Sequence, residues 1–230
     1  MKNFLKTIIP MTFATVLQAA PGVILSPVDH LFIPKGFDNN DNVELVVTGK
    51  FPNNCHSRNK VEVMVKNDLI DVKVTALVST PESGCQPYEF SYSENITVGN
   101  LQAGPYHVNV NGKLKDTLNV AEAHSESVDD HLYAQVDYVE LGFTGGIGGD
   151  VRLIGRTTNC LDLDKIEIVS NDKDTYSVLP IMKKVSDSCS KEKTFFSYPV
   201  RFNPSELRNK NILLFVRTMD GKSVHSIVER

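Results

Sequence analysis

The sequence repeats itself once, at a spacing of about 105 residues, and each copy carries a pair of cysteines. Cys55 recurs as Cys160, and Cys85 recurs as Cys189. The flanks agree as well: T-G-K at 48–50 is matched by I-G-R at 154–156, and K-V-E-V at 60–63 by K-I-E-I at 165–168. The units of solenoid proteins are shorter, so a repeat of this length predicts two complete small domains.

Size and charge indicate a globular, mildly acidic protein. Each unit of roughly 100 residues is large enough to bury a core of its own. The formal charge is −4, and hydrophobic and charged residues make up 41% and 23% of the chain, as in ordinary folded proteins. Since no cluster of Lys and Arg offsets the acidity, we expect neither nucleic acid nor an anionic membrane surface as a partner.

The first 20 residues have the features of a secretory signal peptide. Lys2 and Lys6 form a basic start, an apolar stretch follows at 8–17, and the small residues Ala19 and Ala20 come next. The apolar stretch is about half of the roughly 20 residues that a spanning helix needs. A membrane anchor or a buried helix is the alternative. No later segment is long enough to cross a bilayer, so the sequence predicts a secreted or periplasmic protein.

Four cysteines in an exported chain favour disulfides. Three connectivities are possible, and the internal repeat selects Cys55–Cys85 and Cys160–Cys189. A zinc site would need closely spaced ligands such as C-x-x-C, which the sequence lacks. We therefore expect two structural disulfides and neither a metal nor a cofactor.

The hydrophobic pattern inside each unit is that of β-strands. Apolar and polar residues alternate over 43–48, 61–66, 70–76 and 106–110, which places one face of each strand in a core and the other in water. Asn111-Gly112 and Asp220-Gly221 are preferred hairpin turns. No segment outside the first 20 residues shows a sustained helical stripe, although a short helical turn is possible at 203–207. Short strands separated by frequent turns predict a sandwich of two antiparallel sheets in each unit.

The domain boundaries follow from the repeat and from composition. We expect a signal peptide at 1–20, a first sandwich domain at 21–120, a polar linker at 121–129 and a second sandwich domain at 130–230. D-H-L-F at 29–32 returns as D-H-L-Y at 130–133. This similarity predicts that His30 and His131 are equivalent residues with a structural role, and that each half folds around its own core.

The run VDHLFIPKGFDNNDNVELVVTGKFPNNC at 28–55 resembles a group of exported bacterial proteins of unknown function. In that group, G-x-x-P-x-x-C, V-E-V, a second cysteine and G-x-Y-x-V-x-V-N-G mark a small disulfide-bearing immunoglobulin-like domain. The first repeat matches nearly throughout, whereas Thr157-Thr158-Asn159 replaces the proline turn in the second. The resemblance implies an all-β protein of two tandem immunoglobulin-like β-sandwich domains, each with one internal disulfide. It implies no activity.

Two polar or glycine-rich segments are candidate sites. Asp38, Asn40, Asp41 and Asn42 could offer oxygen ligands to Ca²⁺, but an ordinary loop whose Asp and Asn side chains bond to their own backbone is the stronger interpretation. The second segment, at 142–150, occurs only in the second repeat and lacks the Lys and Ser/Thr of a phosphate-binding loop. We expect it to be a mobile insertion between strands, which could contact a partner or the other domain through Gly145, Gly146, Ile147, Gly148 and Gly149.

An aromatic cluster follows the second cysteine of each repeat. These residues could form a binding stripe, although filling the core accounts for half of each set: Tyr88, Phe90 and Tyr92 in the first repeat, and Phe195, Phe196 and Tyr198 in the second.

No convergent catalytic motif is present in the sequence. We therefore expect an exported, non-enzymatic protein that binds a protein or an envelope component, or has a structural role, at the cell envelope or outside the cell. The alternative is an inhibitor of secreted proteases that presents an exposed, well-ordered loop, either Pro52-Asn53-Asn54 or the region around Gly145. An enzyme would need a deep pocket with convergent polar groups.

Overall fold

A computed structural model of the chain describes residues 22–79, 84–124, 131–142, 150–202 and 211–229. The regular structure of these residues is entirely β. The strands are Gly22–Leu25 (β1), His30–Phe32 (β2), Val43–Phe51 (β3), His56–Lys66 (β4), Leu69–Val78 (β5), Phe90–Gly99 (β6), Gly104–Val110 (β7), Leu114–Val120 (β8), Gln135–Gly142 (β9), Asp150–Thr157 (β10), Leu161–Ser170 (β11), Thr175–Lys184 (β12), Thr194–Val200 (β13), Asn211–Thr218 (β14) and Lys222–Glu229 (β15).

The first repeat is a sandwich of two sheets. One sheet runs β4-β5-β7-β8, with β1 also paired to β5, and the other runs β2-β3-β6. Strands β5 and β7 are parallel, and the remaining pairs are antiparallel. Inward-facing residues of both sheets, such as Val47, Ile96, Val72 and Val108, share one buried cluster.

The second repeat has the same plan. Strands β13-β10-β9 form one sheet and β11-β12-β14-β15 the other, again with one parallel pair, β12 with β14. Leu153 and Phe196 of the first sheet and Val178 and Leu214 of the second meet in the core between them. The prediction of an all-β protein made of two tandem immunoglobulin-like sandwiches is confirmed. The boundaries of the two domains stay a prediction.

Both predicted disulfides are present, one in each half. Cys55 lies between β3 and β4 and bonds to Cys85, which precedes β6, with the Cα atoms 5.5 Å apart. Cys160 and Cys189 occupy the matching places, with Cα atoms 5.0 Å apart. Each bond therefore joins two loops at one end of its sandwich and leaves the centre of the core to apolar side chains.

The two predicted hairpin turns are also confirmed. Asn111 and Gly112 have φ of 52° and 70°, and Asp220 and Gly221 have φ of 66° and 62°. Positive φ at two consecutive residues is the backbone conformation that Asn-Gly and Asp-Gly adopt most easily, which explains these residues between β7 and β8 and between β14 and β15. The helical turn expected at 203–207 lies outside the described residues.

The predicted equivalence of His30 and His131 is wrong. His30 pairs with Thr48 on β3. The residue of β10 that matches Thr48 is Ile154, and it pairs with Tyr138. Tyr138 is therefore the equivalent of His30. His131 instead precedes the segment that pairs with β12. The similarity of D-H-L-F to D-H-L-Y is local, whereas the register of strand pairing decides which residues are equivalent.

The two halves share part of their buried surface, contrary to the expectation of two separate cores. Leu213 and Phe215 of β14 are almost fully buried and belong to the cluster of the first repeat, with Ile227 of β15 packed beside them. They cover the outer face of β2-β3-β6, where Phe32 and Val46 are completely buried. The four sheets therefore stack as four layers, with β2-β3-β6 against β12-β14-β15 in the middle.

Candidate functional site

Several predicted features fall outside the described residues. These are the signal peptide at 1–20, most of the linker, and the predicted interaction loop of Gly145, Gly146, Ile147, Gly148 and Gly149. Among the described residues, buried polar side chains form a network of hydrogen bonds at the contact between the two repeats.

The loop considered for calcium contributes to that contact. Both carboxylate oxygens of Asp41 accept hydrogen bonds from Arg217 of the second repeat, one of them at 2.8 Å from Arg217 Nη1. Glu44 accepts a hydrogen bond from Ser223, also in the second repeat. Of the four proposed calcium ligands, Asp41 thus has both of its oxygens bonded to Arg217. The described residues include no group of three or more His, Cys, Asp or Glu that could hold a metal.

Arg217 is enclosed by aromatic rings as well as by its carboxylate partner. Its guanidinium carbon lies 4.9 Å from the ring centre of Tyr133 and 5.5 Å from that of Phe37. Arg217 Nη1 also donates to the backbone oxygen of Gly36 at 3.0 Å. Both charged side chains are almost fully buried, and aromatic faces favour a desolvated guanidinium. This arrangement holds the two repeats together.

A second polar contact joins the repeats at His30. His30 Nε2 lies 2.8 Å from Asp174 Oδ2, and Asn171 and Thr175 donate to Oδ1 of the same carboxylate. Burial raises the pKa of Asp174, but the hydrogen bonds from His30, Asn171 and Thr175 outweigh it and lower this pKa below its ordinary value. The carboxylate is therefore held ionised in this interface.

His30 also lines a cleft of about 290 Å³. Thr48, Ser91 and Ser93 of the first repeat and Asn211 of the second also line this cleft. A larger cleft, of about 570 Å³, lies beside the ion pair of Lys173 and Asp116. The first of these two clefts thus brings His30 near the hydroxyl groups of Thr48, Ser91 and Ser93.

Hydrogen bonds at the far end of the interface link β3, β6 and β15. Asn95 Nδ2 lies 3.3 Å from Ser223 Oγ, and this hydroxyl in turn donates to Glu44. His225 is on the same strand as Ser223. Burial lowers its pKa below the ordinary value, although the nearby Glu44 carboxylate opposes that shift. His225 is therefore neutral near pH 7.

In contrast to these buried contacts, much of the outer face of the β9-β10-β13 sheet is exposed to solvent, although Arg152 and Ile154 at its centre are half-buried. We call it the β10 face. It consists of Asp137, Tyr138 and Glu140 on β9, Arg152, Ile154 and Arg156 on β10, and Phe195, Ser197 and Pro199 on β13. Phe195 is 79% exposed and Tyr138 is 55% exposed. The Arg156 guanidinium stacks on the Phe195 ring at 5.4 Å.

Each aromatic cluster is divided between the core and the surface. The sequence had allowed both core packing and an exposed binding stripe. Tyr92 and Phe196 are buried, whereas Tyr88 and Phe195 are exposed. The side of β14 that covers the first repeat, with Leu213 and Phe215, was not predicted from the sequence. The signal was the continuous apolar run at 212–216, because strands that are buried on both faces show no alternation.

Comparison with known proteins supports the sandwich fold of the first repeat. Residues 45–120, about a third of the chain, match the model of the ORF11 beta-sandwich domain. Neither the curated proteins nor the solved structures include a match to this chain. In the part of the chain that the structure describes, no helix is long and apolar enough to span a membrane.

Proposed function

We propose that the chain is an exported, non-enzymatic protein with a binding or structural role at the cell envelope or outside the cell. The observation that carries this proposal is the way the polar groups of the inter-repeat contact are used. Asp41 and Arg217 bond to each other, and Asp174 accepts hydrogen bonds from three side chains. Groups committed in this way stabilise a rigid body that presents its outer surfaces to partners.

Two features support export. The disulfides Cys55–Cys85 and Cys160–Cys189 form and persist in oxidising compartments, and the first 20 residues have the pattern of a signal peptide. The binding partner is proposed to be a protein or an envelope component.

The test combines fractionation with chemical mapping of the natural protein. We expect the mature chain in the envelope, periplasm or culture medium, with its N-terminus near Pro21 and all four cysteines oxidised. A full-length, reduced chain in the cytoplasm would contradict the proposal. Binding is tested by crosslinking to envelope fractions. If the wild type showed a catalytic activity that the His30→Ala variant lost while still binding its partner, the non-enzymatic assignment would be contradicted.

A second candidate is an inhibitor of secreted proteases. The loop at Pro52-Asn53-Asn54 is held by side-chain hydrogen bonds: Asn53 Oδ1 accepts from the backbone of Cys55 at 3.1 Å, and Asn54 Oδ1 from that of Gln86 at 2.8 Å. Pro52 is exposed, and a rigid exposed loop is what such an inhibitor presents. Inhibition of a protease panel that is lost on substituting Asn54, with the fold intact, would support this candidate.

A further inference from the structure

We propose that the β10 face binds a second copy of the same chain and forms a twofold-symmetric dimer. The proposal goes beyond the proposed function, because self-association requires neither export nor another ligand. It rests on the composition of the face, on the use of the matching face inside the molecule, and on the arrangement of its charges.

The composition of the face is that of an interface core. Isolated exposed apolar residues are common on protein surfaces. Here, however, Phe195, Tyr138 and Ile154 share one sheet face, and Arg152 and Arg156 lie along its central strand. Aromatic and arginine side chains are the ones enriched at binding hot spots.

The matching face of the first repeat is already an interface. His30 on β2 corresponds to Tyr138, and Thr48 on β3 corresponds to Ile154. That face of β2-β3-β6 is covered by Leu213 and Phe215 of the second repeat. A sheet face at this position of the fold can therefore pack against another sheet. In the second repeat, no strand among the described residues packs on the β10 face.

The charges on the β10 face are arranged so that it can complement itself. Across β9 and β10, Glu140 pairs with Arg152 and Tyr138 pairs with Ile154. The register then shifts, so that Arg156 pairs with Gln135, but Asp137 Oδ2 in the bulge of β9 still lies 3.1 Å from Arg156 Nε.

A twofold axis parallel to the strands, between β9 and β10, makes use of this pattern. It stacks β9 of one copy on β10 of the other, within the modest angle that aligned sheets adopt. Glu140 then faces Arg152 of the second copy and Tyr138 faces its Ile154, and the symmetry makes each of these contacts occur twice. Such an isologous contact is closed and gives a dimer.

On the other outer layer of the molecule, Val23, Leu25, Met64 and Leu69 of β1, β4 and β5 are exposed, but the part formed by β7 and β8 is polar. The positions on β7 and β8 that match Leu213 and Ile227 are His107 and Thr117, and Asn109 and Lys115 lie beside them. The strands that match β14 and β15 therefore carry polar side chains on this side, as the outer face that ends a stack of repeats does, so they do not favour head-to-tail growth of copies and the dimer is the expected assembly.

Sedimentation velocity on the purified chain tests the proposal with charge reversals. At about 100 µM, where a micromolar complex is almost fully formed, we expect the wild type to be dimeric. Arg152→Glu alone places two carboxylates opposite each other, and Glu140→Arg alone places two guanidinium groups opposite each other. Each should weaken the dimer by about 100-fold or more. An equimolar mixture of the two variants restores both opposite-charge contacts and should restore the dimer.

Lys115→Glu, on the polar face of β8, is the matched control and should leave the dimer intact. A monomeric wild type at the same concentration overturns the proposal. Single variants that dimerise like the wild type, or a mixture that stays monomeric, overturn it as well. If a charge reversal lowers the melting temperature, Tyr138→Lys provides an independent disruption of the same contact, and unchanged dimerisation of that variant contradicts the proposal.

Discussion

Arg217 of the second repeat forms a two-pronged ion pair with Asp41 of the first, and neither side chain has appreciable contact with solvent. Arg217→Met should therefore leave a buried carboxylate without its partner. We expect a loss of about 3–5 kcal/mol in the free energy of unfolding, measured by urea denaturation. Asp41→Leu combined with Arg217→Met should cost less than the sum of the two single changes. Additive costs would show that the pair is not coupled.

Two glycines at matching positions of β3 and β10 are required by close packing of backbone. A Cβ on Gly49 would lie 2.0 Å from the backbone oxygen of Pro27, and one on Gly155 would lie 2.1 Å from that of Gln135. Gly49→Ala and Gly155→Ala should each destabilise the protein by about 3 kcal/mol or more, because backbone has to move. Gly22→Ala is the control, since no atom lies within 4 Å of its Cβ. Equal melting temperatures for all three variants would contradict this reasoning.

Each disulfide closes a loop of about 30 residues, with separations of 30 and 29. In the chain-entropy model, replacing Cys55 and Cys85 together by alanine should cost about 3–4 kcal/mol of stability. The corresponding change at Cys160 and Cys189 should cost a similar amount. Thermal unfolding with and without reductant measures both effects. Each double-alanine variant should lose further stability when reductant breaks its one remaining disulfide. A wild-type protein whose stability does not change with reductant would contradict the prediction.

His225 should make the stability of the protein depend on pH. In the unfolded chain it takes up a proton near its ordinary pKa of 6.5, whereas burial lowers its pKa in the folded chain and Glu44 only partly opposes this. The unfolded state therefore binds more protons as pH falls below about 6.5, and stability declines from there through the folded pKa. His225→Asn should reduce this slope in urea titrations between about pH 7 and pH 5. His107→Asn on the outer side of β7 is the matched control, and an unchanged slope in His225→Asn would count against the assignment.

The sequence predicted the features that depend on local chemistry and on duplication. The alternation around Val61 and Val63, the turn at Asn111-Gly112 and the pairing of Cys55 with Cys85 were all readable from one copy or from its repeat. These signals are local, and tertiary contacts leave them unchanged.

Contacts between the repeats could not be predicted from the sequence. Asp41 was read as part of a self-contained loop, because nothing near it in sequence indicates Arg217, which is 176 positions away. Phe195 and Phe196 illustrate the same difficulty. Adjacent residues on a strand point to opposite faces of the sheet, and which face is buried depends on what packs against the sheet. The match of D-H-L at two positions misled for a related reason, because register is set by the whole sheet.

The position of Asn95 has a practical consequence for producing the protein in eukaryotic cells. Asn95-Ile96-Thr97 fits the acceptor pattern for N-linked glycans, and Nδ2 of Asn95, the atom that would carry the sugar, contacts Ser223 across the seam between the repeats. An oligosaccharide added there during secretion would keep β15 away from β6 and prevent closure. A Thr97→Ala variant, whose altered side chain lies on an exposed position, is therefore the suitable form for expression in yeast or mammalian hosts.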